Sequence, residues 1–357
     1  MGVTMKKASK KKAPTKKVPK KKPRTMKWGE NSPWFIGIIG GLIGAFLIGV
    51  FLFYFFGHRE QQIYRAIFMT SINNADRLME KDMTEDALAI YNDIASKRSA
   101  KKDPELYAHI KNSEGVCHYK VALLKDKEEH LLKAIRAFEE ALEIRTPKRY
   151  PDDYAATQNN LGNAYRMLSE VKDKEENLTK AFEAFDEAMQ IYTQDQYPAG
   201  YAATQNNLGA AYGTLADIRD KEGNLNKAVQ AFKEALEFRT IEQYPLGYAT
   251  TKNNLGNAYS ALAEVKDKKE NLLMAVAAFT EALTVYTIDE YPLDYAATYN
   301  NLGNAYSALS EVQDKEGNVT KAVRAFEEAL KVYTLGKYPA QFRTVTSSME
   351  RAKRKMR

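Results

Sequence analysis

The sequence predicts an all-α fold, a superhelical solenoid of stacked helical hairpins preceded by one transmembrane helix. Two observations carry the prediction. Tyr-Pro recurs at Tyr150, Tyr197, Tyr244, Tyr291 and Tyr338, a period of 47 residues without a slip, and Asn-Leu-Gly follows at the same interval from Asn160, Asn207, Asn254 and Asn301. Ahead of these repeats, Trp34 to Phe56 is a run of 23 residues without a charge.

In chain order the first segment, residues 1–33, is a basic tail. Residues 1–30 carry 12 Lys and Arg against one acid, Glu30, so they hold +11 of a chain whose total is +7, and the remainder sums to −4. The basicity is therefore a property of the tail and not of the fold. Lysine clusters spaced by Ala, Pro, Ser and Thr repel one another and bring little to bury, which predicts disorder. A polycation beside a membrane span lies near anionic headgroups, so a lipid surface is one expected partner. Nucleic acid is an alternative through phosphate contacts, although no aromatic residues interleave the lysines to stack on bases.

Residues 34–56 form the predicted span. As a helix the run is about 34 Å long, enough for a hydrocarbon core of about 30 Å. Trp34 and Tyr54 stand near its ends, where amphipathic rings favour the interface, and Arg59 closes the far side. A cleaved signal peptide would have a shorter apolar core, and no small-residue cleavage site follows FLFYFFGHRE. Seven positive charges lie between Pro14 and Pro33 against two between Gly57 and Asp76, which places the tail in the cytoplasm and the array outside it. Gly37, Gly41, Ala45 and Gly49 give the span a face of small residues, and such faces let two helices approach closely, as in a homodimer.

Residues 150–337 comprise four complete units, each read as two helices. Pro151 suits the first turn of helix A, where a missing N–H costs nothing, and Tyr154, Leu161, Tyr165 and Leu168 follow at helical spacing. After the charged stretch Lys172 to Asn177, with Asn177 as the expected N-cap, helix B carries Leu178, Ala181, Phe185, Ala188 and Ile191. One hairpin cannot cover its own apolar stripe and must stack on its neighbours. Residues 57–149 keep the register in weaker form: Pro104, Gly115, Ala134, Phe138 and Ala141 each precede a counterpart by 47 residues. Ala75, Leu78, Ala87 and Tyr91 fit one further hairpin. Residues 338–357 supply a closing helix with Phe342, Val345, Met349 and Ala352 on one face.

Leu161-Gly162-x-x-Tyr165 followed by Ala181-x-x-x-Phe185 and Ala188 resembles the tetratricopeptide signature, and the pattern recurs in all four units. Gln158, Gln205, Lys252 and Tyr299 stand where that family has Trp. The unit of 47 residues exceeds the family's 34, and the excess falls in the two turns. With its TQNNLGNAY wording the array is similar to the long tetratricopeptide variant of many prokaryotic proteins and to the repeats of kinesin light chain.

The resemblance implies a concave groove lined by the A helices that holds a protein or peptide. Asn159 lies two residues from Leu161, about 200° around the helix, and Asn163 and Arg166 share its stripe. Asn206, then Asn253 and Asn257, then Asn300 and Asn304 continue it. A carboxamide both donates and accepts, which suits the backbone of an extended peptide; the competing reading is that these side chains bond between repeats. The second residues of each pair, Asn160, Asn207, Asn254 and Asn301, are expected to be structural. Arg166 is the only cation on the stripe, so a carboxylate clamp is not expected.

Other chemistries are not expected. One cysteine, Cys117, permits no intrachain disulfide, and the four histidines match no zinc spacing. Asp126, Asp173, Asp220, Asp267 and Asp314 sit in turns neutralised by Lys and lack calcium-loop spacing, so they read as solvated turns. No glycine-rich phosphate loop and no nucleophile–base set is present, so neither an enzyme nor a cofactor is predicted.

Overall fold

The computed structural model of the protein describes residues 47, 59–60, 62–81, 83–97 and 101–356. The basic tail and, apart from Leu47, the predicted span with Gly37, Gly41, Ala45 and Gly49 lie outside the described residues. Among the described residues no helix is long and apolar enough to cross a membrane.

Thirteen helices follow one another among the described residues. The first hairpin is α1 (residues 62–80) and α2 (Thr84–Ser96). Five A–B pairs follow: α3 (Pro104–Ala122) with α4 (Lys127–Leu142), α5 (Pro151–Leu168) with α6 (Lys174–Met189), and α7 (Pro198–Ala216) with α8 (Lys221–Phe238). Then come α9 (Pro245–Leu262) with α10 (Lys268–Ala282), α11 (Pro292–Leu309) with α12 (Lys315–Leu330), and the closing α13 (Pro339–Arg354).

Local chemistry sets these boundaries. From α5 onward each A helix starts at Tyr-Pro, with the proline in the first turn, where no intrahelical donor is lost. The tyrosine N–H closes the preceding turn on a threonine carbonyl, as from Tyr150 to Thr146 and from Tyr338 to Thr334 at 2.9 and 2.8 Å. Each B helix is preceded by an aspartate in the left-handed region, Asp126, Asp173, Asp220, Asp267 and Asp314 at φ between 39 and 45°. Aspartate tolerates this conformation better than most residues because its short polar side chain bonds locally.

The B helices therefore begin earlier than the sequence reading has them. Asp173, not Asn177, is the N-cap, and Asn177 is buried inside α6 with its amide donating back to the Lys172 carbonyl at 2.8 Å. Asn224, Asn271 and Asn318 make the same bond to Arg219, Lys266 and Gln313. The carbonyl just before each left-handed aspartate is left without a helical partner, and the buried asparagine amide supplies its donor.

From α3 to α11 each A helix packs on its own B helix, on the preceding B helix and on the next A helix, and α13 packs on α12 and α11, whereas among the described residues no two B helices approach one another. The A helices thus form the inner layer and the B helices the outer one. Between the layers runs an apolar seam, with Phe138, Phe185, Phe279 and Phe326 fully buried and Leu161, Leu208, Leu255 and Leu302 close behind. Burying a phenylalanine contributes about 1.5–3 kcal/mol, so the seam is the main source of stability. At the C-terminal end Val345 and Ala352 of α13 are buried, while its last turn presents Arg351, Lys353 and Arg354.

Candidate functional site

The inner surface is formed by the stripe that faces away from the B helices. Its asparagines are largely engaged with one another. Asn207 Nδ2 donates to Asn159 Oδ1 at 3.0 Å, Asn254 Nδ2 to Asn206 Oδ1 at 3.2 Å, and Asn206 Nδ2 to Asn207 Oδ1 at 3.2 Å. A carboxamide relay therefore runs from α9 through α7 to α5. Upstream, Asn160 reaches Asn112 at 3.4 Å; downstream, Asn301 donates to Asn257 at 3.0 Å and Thr298 to Asn253 at 3.2 Å. The second residues of each pair are structural, as expected, and the carbonyls of Asn159, Asn206, Asn253 and Asn257 are engaged by the following repeat as well.

Arg166 is half-buried and paired with Glu170 at 3.1 Å, while its Nε has no hydrogen-bond partner. Asn163 is half-buried and Asn257 and Asn304 are exposed. Where α9 faces α11, a cleft is lined by Ser260, Lys268, Leu272 and Asn304. Ser260 Oγ in this cleft and Asn300 Oδ1, one turn before Asn304 on α11, are buried and carry no hydrogen bond. A buried polar atom left unpaired costs about 1–3 kcal/mol, so such groups mark a place where a ligand's donors gain the most.

Other periodic contacts hold this surface in shape. In every unit a tyrosine on helix A donates to a glutamate on helix B: Tyr107 to Glu140, Tyr154 to Glu187, Tyr201 to Glu234, Tyr248 to Glu281 and Tyr295 to Glu328, at 2.6–3.0 Å. The positions that hold Gln158, Gln205 and Lys252 join these pairs, Lys252 lying 2.7 Å from Glu281. A polar hub thus stands where the family pattern has Trp. The sequence signal was a tyrosine and a glutamate 33 residues apart in five units.

The Asp-containing turns are exposed, as expected, and their flanking charges pair between repeats. Lys127 meets Glu170, Lys172 meets Glu128, Arg219 meets Glu175, Lys221 meets Glu264 and Lys266 meets Glu222, all within 2.9 Å. Exposed, screened pairs of this kind each add at most about 1 kcal/mol. The Tyr-Pro tyrosines pack on aromatic rings in three turns, with Tyr197 on Tyr192, Tyr291 on Tyr286 and Tyr338 on Tyr333 at ring separations of 5.6–6.0 Å. Tyr244 lacks such a partner, because Arg239 occupies the corresponding place, and it is 44% exposed.

In the degenerate unit His118 and His130 face each other with Nδ1 atoms 3.0 Å apart, and Cys117 is turned the other way, onto Met79. Burial, reinforced by the neighbouring His130, Lys133 and Lys111, lowers the His118 pKa to about 4. Among the described residues no group of three metal-binding side chains is found.

A family model described as a tetratricopeptide repeat matches residues 209–240, from the later part of α7 through α8 to the first two residues of the turn that follows. A search of curated proteins finds no match. Among solved structures, a chain of the APC/C hetero-tetramer Cut9–Hcn1 aligns over 80% of this chain at 16% identity and a TM-score of 0.55. The present chain spans 42% of that chain's length. PilW, a widely conserved type IV pilus biogenesis factor, aligns over 78% of this chain and 98% of its own at 18% identity and a TM-score of 0.50. At these identities the likeness is one of fold, an all-α tetratricopeptide-like solenoid.

Proposed function

We propose that the protein is a scaffold that holds a peptide segment of another protein on the inner surface of its repeat array, tethered to a membrane through Trp34 to Phe56. The observation that carries the binding reading is the cleft between α9 and α11, where Ser260 Oγ is buried without a hydrogen-bond partner beside the exposed Asn304, the unpaired Asn300 Oδ1 lying one helical turn before Asn304 on α11. A peptide backbone offers N–H groups at regular intervals, which suits acceptors repeated along stacked helices. Asn163 and Asn304 have their amides free of bonds to other described residues, so ligand contacts fall to them more than to the relay asparagines. The tether, the extracytoplasmic placement of the array, the anionic lipid surface facing the tail and the pairing of two copies through Gly37, Gly41, Ala45 and Gly49 rest on the sequence. So does the reading of the units as the long tetratricopeptide variant.

The test is to select peptides from a random displayed library on the full chain in detergent micelles, then measure their affinity for a Ser260→Ala, Asn304→Ala variant with an unchanged melting temperature. Loss of two neutral hydrogen bonds predicts about tenfold weaker binding or more. Enriched peptides that bind the variant as tightly as the parent would exclude the inner surface as the binding face.

A further inference from the structure

At the end of each B helix the register 145, 192, 239, 286, 333 carries Arg, Tyr, Arg, Tyr and Tyr. The two arginines sit in the same framework. Arg145 donates through Nη1 to Thr157 Oγ1 at 2.8 Å, and its Nη2 pairs with the Asp153 carboxylate at 3.2 Å. Arg239 donates through Nη1 to Thr251 Oγ1 at 3.0 Å and toward the Gly247 carbonyl at 3.5 Å. Where the first niche has Asp153, the second has Gly247, and among the described residues no carboxylate lies within ion-pair distance of Arg239.

The second niche is also open. Arg239, Gly247, Ala199, Tyr244, Pro245 and Leu246 line a cavity at the turn between α8 and α9, at the edge of the array and not on its inner surface. A Cβ at Gly247 would lie 3.3 Å from Arg239 Cδ and 3.4 Å from Nε, so the missing side chain is what leaves the guanidinium accessible. Tyr244 and Leu246 are 44% and 46% exposed beside it, an apolar rim around a cation. Burial alone pushes the guanidinium pKa down here, whereas at Arg145 the Asp153 charge opposes burial.

We infer that the Arg239 niche binds a peptide carboxylate carried next to an apolar side chain, the external equivalent of Asp153 in the first unit. A guanidinium presents a planar fork that matches a carboxylate, and its attraction strengthens where water is excluded. The carboxylate can be a free C-terminus or an aspartate or glutamate side chain; both offer the same two oxygens. The inference is independent of the inner-surface reading, since no residue is shared between the two places.

The experiment uses the full chain with ¹⁵N-labelled arginine in detergent micelles and follows the Arg239 Nε–H resonance, assigned by its absence in Arg239→Gln. Three probes are titrated to millimolar concentration: acetyl-Leu-Asp-Leu-amide, acetyl-Leu-Leu-Leu with a free C-terminus, and acetyl-Leu-Asn-Leu-amide. The expected result is a saturable shift with one or both carboxylate probes and none with the asparagine probe, the stronger of the two identifying the source. Gly247→Asp, which rebuilds the Asp153 arrangement, should move the resonance before any peptide is added and weaken the response about tenfold or more, the effect of one charge-assisted bond already made. An unmoved resonance, an equal response to the asparagine probe, or an undiminished response in a folded Gly247→Asp variant would each overturn the inference.

Discussion

Phe185 lies with its ring edge against Gly162 so closely that a Cβ at residue 162 would sit 2.5 Å from Cε1. The same contact joins Gly115 to Phe138, Gly209 to Phe232, Gly256 to Phe279 and Gly303 to Phe326. Because Phe185 is fully buried, its ring has no free direction in which to move. Gly162→Ala should therefore destabilise the array by about 1–3 kcal/mol despite alanine's better helix propensity. Gly213 has nothing within 4 Å of its would-be Cβ, so Gly213→Ala should stabilise by about 0.5–1 kcal/mol. Urea denaturation of both variants checks the opposite signs.

Asn206 is 7% exposed and is bonded on both ends of its amide, to Asn254 and Asn207. Replacing it with alanine leaves partners on two helices unpaired, at about 1–3 kcal/mol. Asn304→Ala, at an exposed site, should stay within about 0.5 kcal/mol. Equal denaturation midpoints for the two variants would show that the relay adds no stability.

His118 gives the fold a sensitivity to acid. Its pKa is held near 4, below the usual histidine range, so the unfolded chain binds a proton that the folded one refuses. Stability is then complete above about pH 6.5 and falls as the pH drops toward 4, by about 2–3 kcal/mol. His118→Tyr with His130→Asn restores the residues of the regular units and should flatten thermal midpoints between pH 7.5 and pH 5, measured by circular dichroism.

Tyr248 supplies the opposite limit. Burial and the bond to Glu281 at 2.6 Å raise its phenol to about 12. Its contribution is complete below about pH 10, the unfolded value, and is lost as the pH rises through 12. Tyr248→Phe should cost about 1 kcal/mol at neutral pH and remove its share of the alkaline loss, visible in melts from pH 8 to 11.

For the proposed tether, protease added to intact cells should remove a tag placed after Arg357. Protection of the tag until the membrane is broken would reverse the orientation and move partner binding to the cytoplasmic side.

The period, the two helices per unit and the residues of the seam were legible because Leu161, Phe185 and their counterparts recur at helical spacing in four registers, and burial on one face requires such a pattern. The start of the B helices was less so: Asn177 has the side chain of an N-cap, and only the left-handed backbone at Asp173 shows that the cap lies four residues earlier.

By itself, then, the sequence determined the solenoid, since local periodicity and stacking of one unit on the next are both written in the order of residues. What only the tertiary structure decided is how identical residues are used. Asn206 is bonded twice while Asn304 is free, and Arg145 has Asp153 while Arg239 faces an open niche. The asparagine bonds join residues 48 apart on successive A helices, and the arginine niches close where the end of a B helix folds back on the next A helix, 8 to 12 residues on; helical periodicity encodes neither distance.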